Sequence, residues 1–250
     1  MQDDPVSDST QKKVALVVGA GDATGSAIAR RFAREGFVAC LARRNVDKLQ
    51  PLVEQIRATG AEAHGFGSDA RKEEQVAELV ERIETGIGPI DVFVFNIGAN
   101  VPSSVLDESA RKYFKVWEMA CFSAFLTGQA VAKRMVARRR GTILFTGATA
   151  SVRGAANFAA FATAKHGLRA LAQSMARELG PMNIHVAHTI IDGAIDTAFI
   201  RENFPDKYAE KDQAGILSPE HIADAYWFLH SQPRDAWTFE LDLRPWSERW

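Results

Sequence analysis

The stretch Val14-Ala15-Leu16-Val17-Val18-Gly19-Ala20-Gly21-Asp22-Ala23-Thr24-Gly25 reads as a strand running into a glycine-bearing turn. Its continuous apolar run leaves no polar face, so the strand must be covered on both sides, as in a parallel sheet. Beyond the turn, Ile28 and Phe32 fall at helical spacing, and Gly36 ends that helix after Glu35. The alternation then repeats. Val38-Ala39-Cys40-Leu41 is a second strand, and Leu49, Leu52, Val53 and Ile56 mark a helix that stops before Gly60. Residues 63–66, 91–95, 142–145 and 184–191 read as further strands, separated by helices over 73–84, 109–138 and 157–179. Ser218-Pro219-Glu220 reads as a capped helix start, and 237–241 alternates like a last strand. Strand–helix alternation of this kind predicts an α/β fold: a doubly wound parallel sheet with right-handed crossovers and helices on both faces. No linker interrupts it, so residues 13–250 are expected to be one domain behind a polar, disordered tail at 1–12.

Composition sets wide bounds. The chain has 250 residues, 46% hydrophobic and 24% charged, which suits a water-facing surface over a sizeable core. A net charge of −1 gives no bulk electrostatic case for nucleic acid or membrane partners. The run Arg138-Arg139-Arg140 reads as a solvated helix end, where arginines suit the negative pole. Cys40 and Cys121 share no metal-like spacing and read as small core residues in a reducing compartment; no metal site is expected. No apolar run approaches about 18 residues and the N-terminus has no apolar leader core, so a cytoplasmic location is the expectation.

The turn 19–25 has a clear physical use. Glycines let backbone amides approach a pyrophosphate, and the N-terminus of the following helix favours negative charge. From 14 to 243 the chain resembles the short-chain dehydrogenase/reductase family, whose Rossmann-type domain carries a Thr-Gly-x-x-x-Gly-x-Gly turn. Gly19 and Gly25 match it, while Val18 and Ala23 depart. Asp69 stands where the family places an aspartate near the adenine. Phe95-Asn96-Ile97-Gly98 stands for Asn-Asn-Ala-Gly, and Asp192-Gly193-Ala194-Ile195-Asp196-Thr197 stands for Pro-Gly-x-x-x-Thr beside the nicotinamide. The resemblance implies cofactor contacts at Gly19, Gly21, Ala23, Gly25, Asp69, Ala70, Asn96, Gly98, Lys165, Gly193, Ile195 and Thr197.

The same resemblance removes most of the chemistry. Phe161-Ala162-Thr163-Ala164-Lys165 keeps the lysine of a Tyr-x-x-x-Lys pair but has phenylalanine for tyrosine. Ala148 occupies the catalytic serine position and Ala120 that of a relay asparagine. A benzyl ring has no proton to give. The chain thus resembles a subgroup with an incomplete glycine motif and phenylalanine before a retained lysine. Lys165 keeps the task of holding the nicotinamide ribose and lies in an open cleft by this reading.

At the end of the second strand stand Arg43 and Arg44, with no carboxylate to repel a 2′-phosphate and guanidinium groups to clasp it. NADP(H) is therefore favoured over NAD(H), although Asp22 opposes it. Asp192 is a candidate substitute acid if desolvation raises its pKa; capping backbone amides in a turn is its commoner use. Thr149, Ser151 and His188 lie near aligned site positions, His188 as a packed strand residue and His166 on the surface. Residues 198–217 read as a substrate lid with Phe199, Ile200 and Phe204 as its apolar face. Helices apolar on several faces, together with Trp237, Phe239, Trp246 and Trp250, predict a homodimer or homotetramer. Three functions stay open: a weak or atypical NADP(H)-dependent oxidoreductase on an unknown small molecule, a catalytically silent NADP(H)-binding sensor or partner subunit, and a drifted scaffold.

Overall fold

The computed structural model describes residues 11–249. Residues 1–10 of the expected tail lie outside them, as does Trp250. The strands β1 (Val14–Val18), β2 (Val38–Arg43), β3 (Ala63–Gly67), β4 (Ile90–Phe95), β5 (Gly141–Thr146), β6 (Ile184–Ile191) and β7 (Glu240–Leu243) form one parallel sheet. Its order is β3-β2-β1-β4-β5-β6-β7, so the chain winds outward from β1 first one way and then the other. Every residue of β1, β4 and β6 is buried, in keeping with their apolar runs.

Helices cover both faces. The side chains of α3 (Glu73–Gly86), α5 (Ser123–Arg138) and α6 (Ala159–Leu179) build one core with Leu16, Phe93 and Phe145. Those of α1 (Thr24–Arg34), α2 (Gln50–Arg57) and α9 (Pro219–Ser231) build the other with Val17, Leu41 and Leu144. Ser218 caps α9 as expected, accepting from Glu220 N at 3.2 Å. The remaining helices are α4 (Ala110–Trp117), α7 (Ala198–Asn203) and α8 (Pro205–Tyr208).

Four readings need correction. The long helical stretch expected over 109–138 runs unbroken from Ala110 to Arg138 but is not α-helical throughout, because a π-helical turn at Glu118–Phe122 separates α4 from α5. Insertions of this kind cluster at functional sites. The last strand starts later than alternation indicated, because the Trp237 ring stacks on His185 at 4.9 Å and Gln232 takes the Thr238 backbone N–H. The arginine run is only partly the solvated end expected, since Arg139 and Arg140 are exposed but Arg138 is drawn in. Arg138 forks onto Glu84 at 3.0 and 3.1 Å, Arg140 meets Asp91 at 2.9 Å, and Arg139 closes α5 in a left-handed conformation. The C-terminal aromatics are not one exposed cluster either: Phe239 packs against the core, and only Trp246, 77% exposed, faces outward among the described ones.

Candidate functional site

The order in which strands are added reverses between β1 and β4, and the crevice at their C-terminal ends is where an open α/β sheet holds ligands. The turn after β1 fills that crevice with backbone. Gly19 has φ +87°, and a Cβ there would lie 2.6 Å from Asn96 O; one at Gly25 would lie 2.5 Å from Gly19 O. Both positions require glycine, whereas Gly21 has no such close neighbour. Asn96 braces the turn, its Nδ2 donating to Gly19 O at 3.1 Å and its backbone N–H to Val18 O at 2.8 Å. The first residues of α1 receive no side-chain cap, which leaves amides aimed at the crevice.

A first hollow of about 590 Å³ runs from this turn across the ends of β2 and β3. It gathers Gly19, Gly21, Arg43, Arg44, Asp69, Ala70, Asn96 and Gly98. Arg71, Lys48 and Met119 join them; folding brings Lys48 and Met119 alongside, while Arg71 follows Ala70 in the chain without a motif to mark it. Asp69 is clasped by Arg71 at 2.8 and 2.6 Å, and those hydrogen bonds hold its carboxyl down at about 2. Arg43 Nη1 reaches Asp22 Oδ1 at 3.2 Å.

A second hollow of about 410 Å³ shares Asn96, Ile97 and Gly98 with the first. Ala148, Phe161 and Lys165 all line it, with Gly193 and Ile195 opposite. Lys165 is not in the open: it is 3% exposed, and Nζ donates to Thr146 O at 2.7 Å and Ile97 O at 3.2 Å. Burial pulls its pKa down to about 8. The Phe161 ring centroid is 6.0 Å from that nitrogen. Ala120 is fully buried in the π-helical turn, packed with Ala160, Ala164 and Phe161. Arg153, Asn100 and Phe158 also line this hollow; nothing local in the sequence distinguished them.

Three site residues fall elsewhere. Gly25 serves packing of the turn, as above, and Thr197 caps α7 by accepting from Ile200 N at 3.1 Å. Ala23 and Thr197 border a separate surface indentation with Asp22. Asp192 does not cap backbone amides. It is buried, accepts the Thr149 hydroxyl proton, and lies 3.4 Å from Arg244 and 3.7 Å from Arg153. Its own N–H donates to Leu243 O at 2.8 Å.

His188 is packed, as expected. Its Nδ1 is 3.1 Å from Glu240 Oε2, and Arg169 forks onto Glu240 at 2.6 and 2.7 Å. The imidazole lies directly under Gly147, where a Cβ would come within 2.3 Å of Nε2. Burial pushes His188 down to about 4, and does the same to His230. Both start near 6.5 in the unfolded chain. Below that value the unfolded chain binds more protons than the folded one, so stability must fall as pH drops toward 4. Each histidine accounts for on the order of 3 kcal/mol across the window. The melting temperature should therefore decline steadily on acidification, and less so in His188→Gln. A melting temperature level from about pH 7 to about pH 5 would contradict this. His166 is exposed, with Nδ1 near Ala162 O. Among the described residues no cluster of histidine, cysteine, aspartate or glutamate is arranged to hold a metal, and no helix is long and apolar enough to cross a membrane.

Comparison with known proteins agrees with this geometry. Residues 13–208 match the model of the family described as short chain dehydrogenase. A short-chain dehydrogenase/reductase of Hericium erinaceus, eriH, is 32% identical over 88% of this chain and 91% of its own length. The crystal structure of a short-chain dehydrogenase from Rhodopseudomonas palustris is 45% identical, with a TM-score of 0.81 over 94% of this chain and 99% of that one. A metagenomic short-chain oxidoreductase solved in complex with NADP is 26% identical, with a TM-score of 0.81 over 93% and 96% of the two chains. With its glycine turn, switch-point crevice and these relatives, the chain belongs to the short-chain dehydrogenase family.

Proposed function

We propose that this protein is an NADP(H)-dependent oxidoreductase whose usual proton-donating positions are vacated. One observation carries the reading. The cationic hollow of Arg43 and Arg44 is continuous, through Asn96 and Gly98, with the hollow in which Lys165 lies between Ala148 and Phe161. The residues fit a dinucleotide: the turn is packed so closely on itself and on Asn96 that Gly19 and Gly25 admit no Cβ, and Arg43 and Arg44 line the hollow where a 2′-phosphate would lie. A relative of the same fold is solved with NADP. When bound, the cofactor supplies hydride; this chain positions it. Lys165 holds the ribose hydroxyls, with Asn96 and Gly98 at the nicotinamide and Asp69 and Ala70 at the adenine. Residues 198–217 form the lid, where the exposed Phe199 and Phe204 rings meet edge to face at 5.9 Å.

Fluorescence titration tests the assignment. NADPH binds the native protein, and Lys165→Met weakens that binding by about tenfold while the variant still melts cooperatively, because methionine refills the site without the charge. Unchanged NADPH affinity in the folded variant would remove Lys165 from the cofactor site. A second reading, a silent NADP(H)-binding sensor or partner subunit, is favoured by the absence of hydroxyls at positions 148 and 161. Turnover assays separate the two.

We further place the protein in a reducing cytoplasm, as a homo-oligomer. Cys40 and Cys121 remain free thiols. The continuous helix α4–α5 shows a ladder of rings, Phe114, Trp117, Phe122 and Phe125, with Phe114 and Phe125 exposed. Exposed aromatic patches of this kind are covered in oligomers. Light scattering at micromolar concentration should give twice or four times the chain mass of 27.5 kDa; a monomer excludes the arrangement.

A further inference from the structure

The hollow beside Lys165 has an uneven charge balance. Among the described residues lining it, two are cationic, Arg153 and Lys165, and none is acidic. Lys165 is engaged with the Thr146 and Ile97 carbonyls, deep in the wall. Arg153 is different. Its side chain is 45% exposed, and its one ion pair, to Asp192, is 3.7 Å long and beyond hydrogen-bonding reach. Asp192 has nearer partners, the Thr149 hydroxyl on Oδ1 and the Arg244 guanidinium 3.4 Å from Oδ2. The guanidinium of Arg153 therefore faces the hollow with its fork of N–H donors uncommitted. The wall around it is apolar, built by Phe158, Phe161, Ile191 and Ile195. Ligand pockets combine such an apolar lining with a few polar groups that fix orientation, and an arginine fork matches a planar carboxylate with two parallel hydrogen bonds.

We propose that the hollow takes a small, mainly apolar substrate bearing one carboxylate, and that Arg153 is the group that receives it. The inference rests on the oxidoreductase reading above, in which this hollow is the substrate site. A single uncommitted guanidinium, with Asp192 behind it, suits a monoanion better than a phosphate dianion. Asn100, on the same rim, offers an amide donor for a second polar group. The volume of about 410 Å³ must also admit the nicotinamide, so the remaining space holds a single ring or a short alkyl chain.

The test uses the full chain saturated with NADPH. Calorimetric titration with 3-phenylpropanoate and with its uncharged amide, 3-phenylpropanamide, compares the carboxylate with a near-isosteric neutral group. The acid should bind at least about tenfold more tightly than the amide, and added salt should erode the difference. Arg153→Gln should bring the two probes together, and Arg153→Lys should restore part of the preference, since it keeps the charge but loses the fork. Equal affinities in the native protein overturn the proposal. So does a preference for the acid that survives Arg153→Gln, or failure of both probes to bind at millimolar concentration. Prior fluorescence titration keeps the two levels apart. Native protein that does not bind NADPH defeats the oxidoreductase reading itself, whereas NADPH binding without carboxylate preference defeats this inference alone.

Discussion

Ala148→Ser combined with Phe161→Tyr raises reduction of simple ketones by at least about tenfold over the native protein. A positioned proton donor typically contributes about a hundred- to ten-thousandfold, and an oxyanion donor adds to it; the lower bound allows for imperfect placement. Both positions line the same hollow as Lys165. The Phe161 ring lies close enough to the Lys165 ammonium, 6.0 Å to its centroid, for a para hydroxyl to feel that charge. An adjacent cation lowers a phenol pKa, as a tyrosine acid near neutrality requires. The Ala148 backbone is held in place by its N–H, which donates to Ser151 Oγ at 3.1 Å. Adding one hydroxyl at each position therefore asks little of the fold. Native turnover at rates ordinary for the family would show instead that another group donates the proton, Asp192 being the first to replace. If neither protein reduces any carbonyl while both bind NADPH, the sensor reading prevails.

The second large effect concerns cofactor choice. Arg43→Ala with Arg44→Ala should weaken NADPH binding by about ten- to a hundredfold and leave NADH nearly unchanged. The charge-assisted hydrogen bonds to a 2′-phosphate are worth roughly 1.5–3 kcal/mol. The structure places both side chains on the wall of the first hollow, at the open end of β2. It also shows what opposes them: Asp22, almost fully exposed, reaches Arg43 at 3.2 Å and must yield it to the phosphate. Exposed ion pairs of this sort contribute little, so the exchange favours the ligand. Equal loss for both cofactors would mean that the arginines serve the fold or the common pyrophosphate.

The run of strands and helices that makes a parallel sheet, and the glycine turn after the first strand, were legible in the chain because their causes are local; the strand order was not. Gly19 is needed for a positive φ, β1 is apolar because it is buried on both sides, and Ser218 and Pro219 start α9 by their own chemistry. Arg43 and Arg44 could be placed because a strand end is fixed by the strand. Residues whose roles depend on distant partners were not legible. Arg244 reaches Asp192 from the far end of the chain, and Glu240 and Arg169 enclose His188. Arg138 and Arg140 find Glu84 in α3 and Asp91 in β4, partners far from them in the chain. The π-helical turn leaves no trace in apolar spacing either, since it adds a residue to a helix that is apolar on several sides.

The edge strand β7 has a bearing on biosynthesis. Glu240 anchors the histidine beneath Gly147, Leu243 O receives the Asp192 N–H, and Arg244 neutralises the Asp192 carboxylate. These supports for the second hollow come from residues 240–244, late in the chain. The glycine turn and the arginine pair can assemble on a nascent chain while the neighbouring hollow still lacks its supports. A chain clipped before Glu240 would lose all three of these supports, whereas the close contacts of Gly19, Gly25 and Arg43 come from elements that precede it.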